Sequence, residues 1–98
     1  MSVKQRLSVQ RNGVIGVETI TPGSRHSTFA RDVSFCIEWR ANIGWVALTG
    51  TTSNPSDALR EFRDLRRRHK TIRYRLVAFN EIGRVPLPRS WRPFSSWD

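Results

Sequence analysis

Apolar and polar residues alternate with period two at the start of the chain. Val3, Leu7 and Val9 fall on one side and Lys4, Arg6 and Ser8 on the other, the pattern of a half-buried strand. Asn12-Gly13 follows, a pair that tolerates the positive φ angles of a type I′ hairpin turn. Val14 to Ile20 then returns as a second strand, and Gly16 within it predicts a bulge or a close backbone approach. Thr21-Pro22-Gly23-Ser24 interrupts the pattern, so residues 21–28 are expected as an exposed loop carrying Arg25 and His26.

Alternation resumes with Val33, Phe35, Ile37 and Trp39 against Ser34, Cys36, Glu38 and Arg40, an antiparallel strand with one wet face. Asn42-Ile43-Gly44 turns the chain. Trp45 to Thr49 is apolar on both faces, which predicts a central strand. The period then changes. Ala58, Leu59, Phe62 and Leu65 recur at helical spacing, marking the buried face of a helix. Its start is legible: Asn54 as N-cap, Pro55 at the first helical position, and Asp57 near the positive end of the helix dipole. The helix is expected to run to about His69. A further strand, Ile72 to Phe79, places Ile72, Tyr74, Leu76 and Ala78 on one side and Arg73 and Arg75 on the other. Asn80 to Gly83 turns again, and Arg84-Val85 starts a short edge strand.

These elements predict an α+β fold in the order β-β-β-β-α-β, an antiparallel sheet of four to six strands with one helix packed on one face. Residues 1–85 form the single domain and 86–98 a Pro/Trp-rich C-terminal tail. The expected core is Leu7, Val9, Phe35, Ile37, Trp39, Trp45, Leu48, Leu59, Phe62, Leu65, Tyr74 and Leu76. At 98 residues, 38% of them hydrophobic, the chain holds one core and no more.

Charge changes the picture more than composition does. The net charge is +9, and fifteen of the seventeen cations are arginine. Arginine presents a planar fork of donors that suits phosphate and carboxylate and stacks on bases. A GC-rich genome also enriches arginine codons, but codon bias does not require excess cations. Residues 60–75 carry Arg60, Arg63, Arg66, Arg67, Arg68, Lys70, Arg73 and Arg75 against Glu61 and Asp64, a local charge of +6. On a helix Arg60, Arg63, Arg67 and Lys70 fall within about 80° of one another. The bland reading of such a run is a solvated helix face. The functional reading is a ridge that releases counterions from a polyanion. Glu61, Asp64 and Arg68 share the other flank and can pair. A sheet face carrying Arg40, Arg73, Arg75, Lys4 and Arg6 would widen the positive area, although it has no RNP-type aromatic motif. In the tail, Arg89, Trp91, Arg92 and Trp97 could stack on bases or anchor in a protein groove. Alternatively the tail folds back over the core.

Catalysis finds little footing. The two histidines, His26 and His69, stand apart in sequence, the second near the helix end where a cation suits the dipole. Cys36 is the only cysteine, which excludes an internal disulfide and a multi-cysteine metal site and suits a small strand hydrophobe. There is no Walker, nucleophile-elbow or zinc pattern. No catalytic residue, metal site, cofactor or small-molecule substrate is therefore expected. Neither a signal-peptide h-region nor an apolar run of membrane-spanning length is present, so the expected place is the cytoplasm, with no membrane partner.

The segment Ala58-Leu59-Arg60-Glu61-Phe62-Arg63-Asp64-Leu65-Arg66-Arg67-Arg68-His69, followed by Tyr74-Arg75-Leu76-Val77, resembles small accessory proteins of bacteriophages. The resemblance covers residues 33–79 and transfers no functional residue. It implies a host-interaction or defence-evasion setting in the host cytoplasm. Three functions follow, in order. The first is a basic protein contacting DNA or RNA phosphates through Arg60, Arg63, Arg67, Lys70, Arg73 and Arg75. The second is a phage-type inhibitor docking on an acidic or nucleic-acid-binding surface of a host or defence enzyme. The third is a small ribonuclease-type toxin using His26 or His69. Homodimerisation is compatible with each.

Overall fold

The computed structural model describes residues 3–10, 13–30, 32–48 and 50–93. It is α+β, with antiparallel strands and one helix. The elements are β1 (Lys4–Val9), β2 (Ile15–Thr21), β3 (Ser24–Phe29), β4 (Ser34–Ala41), β5 (Gly44–Ala47), α1 (Pro55–Arg68), β6 (Tyr74–Phe79) and β7 (Arg84–Pro86). Two sheets take the place of one. The first is the meander β1-β2-β3, and the second has the order β5-β4-β6-β7.

The helix begins as its sequence dictates. The Asn54 side chain accepts from the amides of Ser56 at 2.9 Å and Asp57 at 3.2 Å, with Pro55 just inside. These contacts satisfy amides that have no partner within the helix. The helix ends at Arg68, with His69 as its C-cap. Lys70 therefore lies in the turn beyond it and not on the helical stripe.

Where residues 21–28 were expected as a loop, the chain makes a tight turn and a strand. Thr21 pairs with Ser24, their hydroxyls 2.5 Å apart, and Gly23 takes φ +85°. Pro followed by a positive-φ Gly is the pattern of a type II turn. All six residues of β3 are exposed. Because both its faces meet water, it carries no apolar alternation to announce it. The first hairpin also closes differently: the Gly13 amide donates to the Gln10 carbonyl at 3.0 Å. Gly13, at φ +85°, thus ends the turn and does not sit at its centre.

The core joins both sheets. Leu7, Ile15 and Ala30 from the first meet Phe35, Ile37, Leu76 and Ala78 from the second, with Ala58, Leu59 and Phe62 of α1 above them. Leu87 and Trp91 complete it. Trp91 is 3% exposed. Its ring lies 5.7 Å from that of Phe35, and its indole N–H donates to the Gly13 carbonyl at 2.8 Å. A Cβ on Gly13 would meet the Arg92 carbonyl oxygen at 2.3 Å, so the close approach needs glycine.

Several expected core residues lie elsewhere. Val9, Leu65 and Tyr74 pack only at the margin of the core. Trp39 and Trp45 are half-buried outside it, and Leu48 is exposed. The cause is the position of β5: it is an edge strand, not a central one.

Candidate functional site

Arg60, Arg63 and Arg67 are exposed on α1. Their helical spacing sets them on one outer face, spanning about 10 Å along the axis. They line an open groove with Asp57, Asp64 and Pro93. Asp57 reaches Arg60 at 3.9 Å, a loose exposed pair worth little. Among the described residues no carboxylate pairs with Arg63 or Arg67. The other helical arginines are engaged. Arg68 pairs with Asp64, whose carboxylate pushes the Arg68 guanidinium pKa up. Arg66 lies 5.5 Å from the centre of the Phe62 ring, at cation–π range.

Arg75 does not join this face. Strand residues alternate sides. Leu76 and Ala78 face α1 in the core, so Arg75 points to the opposite, helix-free side of the second sheet. Its guanidinium donates to Glu38 at 2.7 Å and lies 4.4 Å from the Trp45 ring centre. Arg84 binds the other oxygen of Glu38. Arg40 stands 5.8 Å from the same Trp45 ring. Arg73 is exposed at the entrance to β6, where its carbonyl accepts from the Arg40 amide at 2.9 Å. Lys4 and Arg6 belong to the first sheet. The basic sheet face expected from Arg40, Arg73, Arg75, Lys4 and Arg6 is thus divided between two sheets, because the chain builds two sheets and not one.

The first sheet repeats the arrangement around Glu38. Glu18 on the central strand β2 is bracketed by Arg6 at 3.0 Å and Arg25 at 2.9 Å. The hydrogen bond from Arg6 is the main cause holding the Glu18 carboxyl below its ordinary range.

Of the tail residues, Trp91 is core and its indole is already bonded, while Arg89 and Arg92 are exposed. Trp97 lies outside the described residues. His69 is exposed, its ring tilted 55° to that of Tyr74 at 6.5 Å between centres; His26 is exposed on β3 opposite Thr19. Burial pushes the Cys36 thiol pKa up, with Glu38 adding to the effect, the reverse of what a thiolate nucleophile needs. Among the described residues, no group of three or more His, Cys, Asp or Glu could hold a metal, and no helix is long and apolar enough to cross a membrane.

Sequence reasoning missed Glu38, Arg84 and Trp45 as one assembly. Glu38 and Arg40 were legible as the polar side of β4, but their partners follow from strand register, which the alternation alone does not specify. Comparison with protein families, with characterised proteins and with solved structures finds no match to this chain.

Proposed function

We propose that this protein binds nucleic acid through its phosphates, using the outer face of α1. The supporting observation is the exposed row Arg60, Arg63 and Arg67, of which, among the described residues, Arg60 alone pairs with a carboxylate. Three guanidiniums along about 10 Å of rigid helix meet a polyanion at the cost of one loose exposed pair, Arg60 with Asp57, and the counterions released supply the affinity. Lys70 is exposed in the turn beyond the helix end. Arg73 and Arg75 do not extend the row: strand register sets them on the other side of the sheet, Arg73 opposite Arg40 and Arg75 bound to Glu38. A surface of phosphate contacts positions a duplex or strand without reading its bases, so the binding is sequence-independent.

The test is fluorescence anisotropy with labelled duplex DNA and with RNA across a salt series. Each phosphate contact contributes about 0.9 to the slope of log K against log salt. The triple variant R60A/R63A/R67A should therefore lower that slope by about 2.7. An unchanged slope would remove the helix from the interface. A protein partner retained by the helix row after nuclease treatment, with no nucleic-acid binding, would favour the inhibitor reading.

A further inference from the structure

We propose that the free edge of β5 is a docking strand for an extended, acidic segment of a partner protein, which adds to the second sheet beside it. The hydrogen-bond pattern fixes which groups are offered. The Leu48 amide donates to the Ile37 carbonyl at 2.8 Å. In an antiparallel ladder hydrogen-bonded pairs alternate, so Val46 opposite Trp39 and Gly44 opposite Ala41 also bond inward. The N–H and C=O groups of Trp45 and Ala47 then point away from β4. The sheet order places nothing beyond them among the described residues.

The edges are not alike. β7 has three residues, among them Arg84 and Pro86; β3 carries Arg25, tied to Glu18. Short strands, charge and proline are how edges are kept from pairing. The sequence Gly44-Trp45-Val46-Ala47 has neither charge nor proline.

The two sides of β5 specify the ligand. On the helix side Val46 and Leu48 share the face of Trp39 and Ile37. The helix packs on β4 and β6 and leaves this strip open: Leu48 is 45% exposed and Ile43 at the hairpin tip 90%. On the other side Arg40 and Arg75 lie against Trp45, and with Arg84 they set three guanidiniums against the single carboxylate of Glu38. A strand added here turns alternate side chains to each side, apolar toward Val46 and Leu48, acidic toward Arg40. The +9 charge of the chain opposes a second copy and favours an acidic partner.

The probe is a dye-labelled peptide alternating glutamate with valine, followed by anisotropy, with a lysine–valine peptide and a scrambled glutamate–valine peptide as controls. The glutamate–valine peptide should bind and both controls should not. Ala47→Pro deletes one outward N–H and spares the β4 ladder, and should weaken binding about tenfold. If that variant loses its circular-dichroism signature, the surface double variant R40E/L48E replaces it, with the same expected loss. Undiminished binding by the folded variants, or equal binding of any control peptide, overturns the proposal. So does a concentration-dependent dimer of the free protein that Ala47→Pro dissolves, which assigns the edge to a second copy. Displacement of the peptide by a DNA duplex also overturns it.

Discussion

Glu18 and Glu38 hold equivalent places in two sheets. Each sits on a central strand between two arginines from other strands, yet the settings differ. The side chain of Glu38 is 3% exposed and its partner Arg75 only 29%. Around Glu18 the arginines are 62% and 66% exposed. The second sheet has a helix on one side and cations folded over Trp45 on the other. The outer half of the first has β3, whose main neighbour is β2. Both carboxylates are buried, with side chains 3% and 9% exposed, and Arg84 at 58% is about as wet as the arginines on Glu18, so the settings differ at Arg75. Loss of Glu38 leaves a half-buried charge at Arg75, whereas loss of Glu18 leaves two arginines that water reaches.

The largest break in this comparison should come from Trp91→Ala. The ring touches Phe35 of the second sheet and bonds Gly13 at the hairpin of the first, so its loss opens a cavity where the sheets join. Urea unfolding should show a loss of about 4 kcal/mol. Glu38→Ala comes next, at about 3 kcal/mol by the same measurement, since it leaves Arg75 half-buried without its carboxylate. Glu18→Ala should cost less and should be distinguished by its dependence on conditions. Because the folded carboxyl titrates below its ordinary value of about 4.3, its contribution is present above that value and fades as pH falls through the lowered one. Acid titration of Glu18→Ala beside the parent should show the parent alone losing that increment, and added salt should shrink it. The smallest effect belongs to Ile43→Ser, within about 0.5 kcal/mol, because the side chain is already in water. Hydrogen exchange sharpens the contrast without mutation: β3 amides should exchange well before those of β4 and β6.

The parts of the fold that were legible are those with one wet face and one dry. The helix showed itself through Asn54, Pro55 and the Ala58-Leu59-Phe62 spacing, and β4 through its alternation. Two kinds of strand hid. β3 is wet on both faces and reads Ser-Arg-His-Ser-Thr-Phe, indistinguishable by pattern from loop. β5 reads apolar on both faces and so imitates a central strand, although it is an edge: its Trp45 is covered by cations, its Val46 is half-buried and its Leu48 is exposed. The helix row of Arg60, Arg63 and Arg67 needed only helical geometry, so it was visible. The assembly of Arg40, Arg75, Arg84 and Glu38 needed strand order and register, which come from contacts far apart in sequence.

The bond from Trp91 to Gly13 spans 78 positions, and it sets a clock on synthesis. A chain emerging from the ribosome can form its hairpins and helix locally, but the core they share stays open until the indole arrives. Closure of so long a loop is slow relative to local structure. Until residue 91 emerges, the nascent protein thus carries Phe35 and its apolar neighbours uncapped, which is when chaperones would have the most to hold.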